Sequence, residues 1–385
     1  MDGEDGPGWG VERGALHSVF VGVDLEPVVF DQPSGRERGE AHGELWRREI
    51  AALAAMRLEQ CVRHGPFDGP EQVLHLAAQH LPVLAEQAPE LHDELLGIAR
   101  GADLGVERVV VLNHYEALAA LAPTVSVDDL GGGTAIYTHG KDGPLLGQTL
   151  DMHPSAEPFV RVISLRSPDG ATESLCLTVT GCLGLAGLGH TGVAVTTNAL
   201  SLVDAKVGLV WPALVRQLLE APDAEAALAR VRAAPRGGGR FYVVADGERF
   251  YGIECSGELE VLTQKGARAA HLHTNHAFDP VLRQRERVSP RSSTFDRLNM
   301  ATTLYAQQRP TSFEALWSLL GSHDGQPRSI CSHLAEGEPD ALVTCGRVLM
   351  RPLAGAMRVA AGCSRTERAV DLRVRGFEPR EPALV

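Results

Sequence analysis

The histidines near residue 273 are the first side chains in this sequence whose type and spacing could do chemistry. His271, His273 and His276 lie close together, and strand alternation would place His271 and His273 on one face. His323 with Asp324 could complete a metal shell, which makes a metal-dependent hydrolase one hypothesis. No H-E-x-x-H helix accompanies them, and histidines that end a strand often serve as hydrogen-bonded structural groups. We therefore expect no metal at His271 and His273.

A glycine-rich stretch at 187–192 matches the G-x-G-x-x-G pattern of dinucleotide-binding proteins. The residues that follow, beginning at Val193, are β-branched, whereas a dinucleotide site needs a helix whose N-terminus meets the pyrophosphate. The stretch therefore predicts a turn between two strands. The chain contains neither G-x-S-x-G nor G-x-x-x-x-G-K-[ST], which argues against a serine α/β-hydrolase and a P-loop nucleotide hydrolase.

The stretch from Gly131 to Asp151 joins a glycine-rich entry, through a predicted hairpin, to an acidic residue. It resembles the acyl-coenzyme A:6-aminopenicillanate acyltransferase family, whose members include isopenicillin N acyltransferase and related amide hydrolases of the N-terminal-nucleophile class. In that family a Gly-Cys-Thr opening is followed by a turn that contains Asn-Gly or Asp-Gly, and then by the motif Gly-Gln-Asn-x-Asp. This last motif is matched without a gap by Gly147-Gln-Thr-Leu-Asp151. Four further similar stretches follow the family's order and extend the resemblance over most of the chain from about residue 40: 112–116, 192–200, 273–280 and 328–333.

The resemblance implies a self-processing enzyme, in which cleavage before the nucleophile frees an α-amine that then serves as the general base. In such an enzyme Asp151 would orient the new amino terminus, and Asn275 would donate a hydrogen bond to the oxyanion of the tetrahedral intermediate. Asn198, Leu200 and His276 are the implied substrate contacts. The mechanism needs no metal or nucleotide cofactor, and the partner is a small-molecule amide. Without the resemblance, Asp151 could be a solvated strand end and Asn275 a turn cap.

Residue 133 departs from the family's pattern. Ungapped alignment from Asp151 places Gly133 at the nucleophile, and glycine has no side chain that can attack a carbonyl. Three explanations stay open: an engineered substitution, a natural loss of catalysis, or a shift of the nucleophile to Thr134. One step along a strand turns the side chain to the opposite face, which disfavours Thr134. The predicted cut before Gly133 gives a largely helical chain α (1–132) and a chain β (133–385) within one integrated unit.

Hydrophobic periodicity predicts the elements that must position these residues. Helical spacing dominates from about 40 to 122, whereas β-rich segments broken by turns begin at Gly131. The later order of helices and hairpins favours antiparallel sheets covered by helices over βαβ winding, and the resemblance implies a four-layer αββα arrangement, an α/β (α+β) fold. Residues 1–38 are expected to form a loosely packed arm. The predicted helices are 44–64, 72–85, 90–100, 106–121, 211–221, 224–233, 294–308 and 312–320, and the predicted strands are 134–139, 144–150, 159–165, 174–180, 193–200, 241–245, 250–255, 269–275, 342–350 and 357–361.

The composition limits partners and compartment. A chain of 385 residues with 44% hydrophobic side chains can build a substantial core. A formal net charge of −13 argues against binding to nucleic acid or anionic membranes. The first ten residues lack the basic and apolar regions of a secretory signal, and no apolar run approaches the ~18 residues of a membrane span, so we expect a cytoplasmic protein. Seven scattered cysteines without a C-x-x-C pair disfavour a disulfide framework and a structural zinc site.

Three functional hypotheses follow from these observations. The leading one is an amide hydrolase or N-acyltransferase scaffold that acts on a small N-acylated amine or amino-acid derivative. Hydrolysis is favoured over transfer, because no basic cluster near the site would hold the phosphates of coenzyme A. One alternative is a non-catalytic binding protein derived from that scaffold, in which Asp151 and Asn275 bind polar groups of a ligand. The other is a metal-dependent hydrolase through His271 and His273, which a chelator would inactivate.

Overall fold

The strands fall into two sheets in the computed structural model, which describes residues 23–121, 131–141, 143–334, 341–366 and 368–379. Their bounds are β1 (Val28–Phe30), β2 (Gly131–Gly132), β3 (Ala135–Gly140), β4 (Gly143–Met152), β5 (Val160–Arg166), β6 (Glu173–Val179), β7 (Ala186–Leu188), β8 (Ala194–Ala199), β9 (Arg240–Ala245), β10 (Phe250–Cys255), β11 (Glu260–Gly266), β12 (His271–His273), β13 (Val343–Arg351), β14 (Ala356–Ala361) and β15 (Ala369–Arg373). Sheet A has the order β1-β5-β6-β7-β8-β9-β10-β11. Sheet B has the order β12-β3-β4-β13-β14-β15, with β2 also paired to β4.

Helices cover the outer face of each sheet, with bounds α1 (Gly35–Leu45), α2 (Arg47–His64), α3 (Pro70–Gln87), α4 (Pro89–Ala102), α5 (Val106–Ala120), α6 (Trp211–Leu219), α7 (Ala224–Ala233), α8 (Pro280–Arg283), α9 (Thr294–Gln308) and α10 (Phe313–Leu320). α6 and α7 contact sheet A, whereas α9 and α10 contact sheet B. The two sheets contact each other through β4 with β8 and β13 with β7. This order of layers is the αββα arrangement that the resemblance implied, and α1–α5 form the helical segment that precedes it.

Each sheet buries one face against the other sheet and one face against helices. The central strands therefore lack a strict alternation of apolar and polar residues. All ten residues of β4 are buried, because the strand lies between β3 and β13 with layers on both sides. The larger hydrophobic cluster fills the space between the sheets and under the helices of sheet A. A smaller one, which includes Ile136, Leu316 and Leu349, lies between sheet B and the pair α9 and α10.

The first helix was missed at the level of sequence. α1 carries three glycines that lie against the backbone of α4: a Cβ on Gly39 would be 2.0 Å from the carbonyl oxygen of Glu94, and one on Gly97 of α4 would be 2.3 Å from that of Arg36. Glycine lowers helix propensity, so the segment showed no helical signal, and the predicted helix over 44–64 is in fact two helices separated at Trp46. Close backbone packing with α4 compensates for the poor propensity.

The expectation of a loosely packed arm over 1–38 is wrong for its described C-terminal part. β1 pairs with β5 in parallel, and the Phe30 ring is 3% exposed and stacks on His42 at a centroid distance of 5.2 Å. Burial of this aromatic ring anchors the segment to sheet A. Residues 1–22 and 122–130 lie outside the described residues, as does part of the predicted turn at 140–143.

Three smaller expectations can also be compared with the structure. The glycine-rich stretch at 187–192 forms the turn between β7 and β8, as predicted. All seven cysteines are free thiols; six are buried and Cys363 is half-buried. Within the described ranges, no helix is long and apolar enough to span a bilayer.

Candidate active site

The candidate site forms in the middle of sheet B, where the chain passes from β2 to β3 alongside β4. The register pairs Gly132 with Asp151 and Ala135 with Gln148, so the uncut bond before Gly133 lies beside the carboxylate. Asp151 is 1% exposed. A strand buried on both faces therefore carries the acidic side chain into the interior, and Asp151 is not a solvated strand end.

The backbone of Gly133 is held by two side chains. Its N–H donates to Asn275 Oδ1 at 3.0 Å, and its carbonyl oxygen accepts from Arg297 Nη1 at 2.6 Å. Arg297 also donates to Asn275 Oδ1 at 2.7 Å and to Thr134 Oγ1 at 3.1 Å. One guanidinium group thus organises the residues around the predicted cleavage bond. Sequence reasoning missed Arg297, which lies in the first turn of α9.

Asp151 lies at the edge of the same network. Thr344 Oγ1 donates to its Oδ1 at 2.7 Å, and Arg297 Nη1 lies 3.7 Å from its Oδ2. Oδ2 has no hydrogen-bond partner among the described residues. Burial raises the pKa of Asp151, and the positive charge of Arg297 and the hydrogen bond from Thr344 oppose that rise. Of the residues that the structure describes, Oδ2 is therefore held by the charge of Arg297 alone.

The two asparagines of the site differ in what they offer to residue 133. Arg297 can only donate, so it fixes Asn275 with Oδ1 towards Gly133, while Asn275 Nδ2 donates to the Ala199 carbonyl at 3.1 Å. In this orientation Asn275 presents an acceptor, whereas its predicted oxyanion role requires a donor. Asn198 is 1% exposed, and neither of its amide atoms has a partner among the described residues. Its Nδ2 lies 3.2 Å from the position of a Cβ on Gly133, so Asn198 is the amide with an available donor.

The backbone at Gly133 suits glycine. Its φ of +157° is one that side-chain-bearing L-residues rarely adopt. A Cβ built there would lie 2.3 Å from the Thr149 carbonyl oxygen, closer than any real Cβ contact. A cysteine could occupy position 133 only if this part of the strand moved.

Thr134 points away from Asn198. Its hydroxyl accepts from Arg297 of α9, on the helical side of sheet B, and its N–H donates to Thr149 Oγ1 at 3.0 Å. A Cβ on Gly133 would instead face Asn198 of sheet A. The side chains at 133 and 134 thus occupy opposite faces, as strand alternation predicts.

The remaining predicted substrate contacts lie beside this network. Leu200 is 1% exposed and borders a cavity of about 20 Å³, large enough for one water molecule. His276 Nδ1 is 3.0 Å from Thr294 Oγ1, and its ring lies 4.3 Å from that of Phe295. Burial lowers the pKa of His276 to about 4. His276 is therefore a neutral group that contacts the first residues of α9, the helix that carries Arg297.

The two strand histidines proposed as metal ligands differ in their contacts, because His271 Nε2 has no hydrogen-bond partner among the described residues. His273 Nε2 is 2.8 Å from Glu254 Oε1 and its Nδ1 is 2.8 Å from the Thr274 carbonyl oxygen, so both ring nitrogens are used. His323 instead lies within 4.8 Å, by its ligand atom, of Cys331, His333 and Cys363, a group that includes neither His271 nor His273. The predicted shell that joins His271 and His273 to His323 and Asp324 is therefore not brought together.

The chain is similar to several known proteins. Residues 138–351 match the family model of acyl-coenzyme A:6-aminopenicillanic acid acyl-transferase. The chain is similar to the 40 kDa form of acyl-coenzyme A:6-aminopenicillanic-acid-acyltransferase of Emericella nidulans, with 26% identity over 315 residues, 80% of this chain and 85% of the relative. One similar solved structure is penicillin V acylase from Agrobacterium tumefaciens, with 12% identity, 63% of this chain and 86% of that chain covered, and a TM-score of 0.42. Another is a mutant conjugated bile acid hydrolase from Clostridium perfringens, with 10% identity, 62% of this chain and 92% of that chain covered, and a TM-score of 0.40.

Proposed function

Since the chain belongs to the acyl-coenzyme A:6-aminopenicillanic acid acyl-transferase family, whose members are acyltransferases and amide hydrolases, we propose that its site recognises the amide of a small N-acylated amine or amino-acid derivative. In this proposal the chain binds the amide but does not cleave it through residue 133. The observation that carries the proposal is the glycine itself: Gly133 supplies no nucleophile, and its backbone leaves no room for a Cβ.

Unpaired polar atoms around Gly133 support recognition of an amide. Among the described residues, neither the donor nor the acceptor atom of the Asn198 amide has a hydrogen-bond partner, and Asp151 Oδ2 accepts no hydrogen bond although it lies 3.7 Å from Arg297 Nη1. A secondary amide offers the complementary pair, a carbonyl oxygen and an N–H, and buried polar atoms gain most from a partner that satisfies them. The cavity beside Leu200 holds about 20 Å³, so side chains around it must move before an acyl group can enter.

The uncut chain is the binding form in this proposal. Self-cleavage of the family's kind would divide the chain into 1–132 and 133–385, through attack by a side chain at 133 on the carbonyl of Gly132. With glycine at 133 no such attack is available. The hydrogen bonds of Asn275 and Arg297 to the Gly133 backbone would then serve to hold the strand in place.

A second candidate, cleavage by Thr134, is favoured by one contact. Arg297 Nη1 donates to the Gly133 carbonyl oxygen at 2.6 Å, where it would stabilise the negative charge formed if Thr134 Oγ1 attacked that carbonyl carbon. Against it, the hydroxyl faces α9 instead of Asn198, so a threonine nucleophile would lack the free amide donor. We rank this candidate second for that reason.

Calorimetric titration of the full chain tests the proposal. The ligands are N-acylglycines of increasing acyl length and an N-acylated 6-aminopenicillanic acid, with the non-acylated amines as controls. We expect saturable binding of an acylated member, weakened about 5- to 10-fold by Asn198→Ala through loss of a hydrogen bond. Asn299→Ala, at an exposed position of α9, is the matched control and should bind as the unaltered chain does. Amide turnover by the unaltered chain, or no binding of any acylated member, would contradict the proposal.

A further inference from the structure

Four side chains from two loops converge at one end of sheet B. His323 follows α10, Cys331 and His333 precede β13, and Cys363 follows β14. Their four potential ligand atoms all lie within 4.8 Å of one another. We propose that this group, called here the His2Cys2 cluster, is a structural binding site for one zinc ion. The proposal does not depend on the function proposed for Gly133.

The separations within the His2Cys2 cluster fit one tetrahedral ion. Cys363 Sγ lies 3.2 Å from His323 Nε2 and 3.7 Å from His333 Nε2, and Cys331 Sγ lies 3.8 Å from His333 Nε2. Zn–S bonds of about 2.3 Å and Zn–N bonds of about 2.0–2.1 Å at the tetrahedral angle give S···N edges of about 3.6 Å. Two imidazoles and two thiols complete a closed shell, which is typical of a structural site rather than a catalytic one.

The surroundings of the cluster already orient its ligands. The Arg365 N–H donates to Cys363 Sγ at 3.4 Å, and Ser364 Oγ lies 3.4 Å from His323 Nδ1, the ring nitrogen that would not bind the ion. The Cys331 N–H donates to the Ser322 carbonyl at 3.0 Å, which brings two parts of the same loop together. Outer contacts of this kind fix ring orientation and support thiolates in metal sites.

Zinc binds neutral imidazoles and deprotonated thiols. Zinc would displace the thiol protons, and the two thiolates would balance its charge. Asp324 is exposed and is not a member of the cluster.

An ion here would also support the candidate active site. Ser332 lies between two of the ligands, and its N–H donates to Thr344 Oγ1 at 2.9 Å. Thr344 Oγ1 donates in turn to Asp151 Oδ1 at 2.7 Å. Fixing the loop at 331–333 would thereby fix the hydroxyl that orients Asp151. No sequence motif marks this site, because Cys363 lies in a different loop from the other three ligands and the ligands include no C-x-x-C pair.

Metal analysis of the full chain tests the inference. The protein is purified under reducing conditions, incubated with zinc, passed through a desalting column and analysed for bound metal. We expect one zinc per chain, and cobalt in its place should give thiolate-to-metal charge-transfer absorption and the strong visible bands of a tetrahedral site. Cys363→Ser and His333→Ala should each weaken zinc binding by more than about 100-fold, since even outer contacts cost 10- to 100-fold. Cys176→Ser and His190→Gln, outside the cluster, should keep the zinc.

Three results would overturn the inference. The first is a bound zinc content far below one ion per chain. The second is a zinc content that is unchanged in Cys363→Ser. The third is a disulfide between Cys331 and Cys363 that forms in the reducing buffer in place of metal binding. If a variant fails to fold, X-ray absorption at the zinc edge of the unaltered chain decides the matter. Two sulfur and two nitrogen neighbours support the site, and a shell of oxygen and nitrogen alone rules it out.

Discussion

Replacing Arg297 with methionine tests whether one buried guanidinium holds the candidate site together. Arg297 is 2% exposed and donates to Gly133 O, Thr134 Oγ1 and Asn275 Oδ1 at 2.6, 3.1 and 2.7 Å. Its Nη1 lies 3.7 Å from Asp151 Oδ2. Methionine keeps much of the side-chain volume but removes every donor, so Asp151 becomes a buried carboxylate without a counterion.

Removing one partner of a buried ion pair costs roughly 3–5 kcal/mol, because the other charge stays buried and unpaired. We expect Arg297→Met to lower the free energy of unfolding by this amount at pH 7, measured by urea titration with circular dichroism. Burial raises the folded-state pKa of Asp151 above its ordinary 3.8, and without Arg297 the pKa rises further. A carboxyl whose pKa is raised on folding destabilises the folded state increasingly as pH rises from the pKa in the unfolded state to the pKa in the folded state. The loss of unfolding free energy in Arg297→Met should therefore shrink as pH falls towards 3.8.

Asp151→Asn supplies the matched control, because it removes the charge and keeps the shape. Combined with Arg297→Met, it should recover about 1–3 kcal/mol and remove the added pH dependence. Arg216→Met, which breaks a separate buried pair with Glu94, should show no such rescue. A loss below about 1 kcal/mol for Arg297→Met, the size of one ordinary hydrogen bond, or no rescue by Asp151→Asn would refute the reasoning.

Three other substitutions probe different parts of the account. Gly131→Ala should lower the free energy of unfolding, measured by thermal denaturation, by about 1–3 kcal/mol, because its Cβ would lie 1.9 Å from Glu116 Oε1. In the control Gly69→Ala the Cβ meets no atom within 4 Å, so the loss should be less than about 1 kcal/mol. Asn198→Leu should raise the unfolding free energy by about 1 kcal/mol, since it removes unpaired buried polar atoms. It should also weaken calorimetric binding of N-acylglycines at least as much as Asn198→Ala does, and unchanged binding would contradict the proposed role. Burial lowers the pKa of His42 from 6.5 to about 4, so its contribution to stability is complete above pH 6.5 and is lost as pH falls towards 4. The free energy of unfolding of the unaltered chain should fall by up to about 2 kcal/mol between pH 7 and pH 5, and that of His42→Gln should fall by less. Urea titrations that show equal falls in the two proteins would argue against this role of His42.

Elements with a clear local pattern could be predicted from the sequence. β3 and β4 lie within two residues of their predicted bounds, because apolar runs flank a turn rich in glycine. α7 and α9 coincide with their predicted ranges for a similar reason, since amphipathic spacing marks them. The hairpin alone sets the register that places Asp151 opposite Gly132.

Features made by distant parts of the chain could not be predicted. Arg297 is an isolated basic residue in the first turn of a helix, and only the packing of α9 against sheet B brings it to Gly133. α1 is stable because its glycines fit against α4, a tertiary effect that overrides weak propensity. The orientation of Asn275 likewise follows from Arg297, so a donor role inferred from residue type could not account for it.

The intact mass of Gly133→Cys beside Gly133→Ala tests most directly whether the backbone at position 133 excludes a working nucleophile, as the close approach of the Thr149 carbonyl implies. Both variants place a Cβ 2.3 Å from the Thr149 carbonyl oxygen, so they share the same strain and differ only in the thiol. The account predicts that both variants and the unaltered chain stay whole, near 41.2 kDa. A cut before residue 133 in the cysteine variant alone would contradict it, because the scaffold would then be a competent enzyme that lacks only its nucleophile.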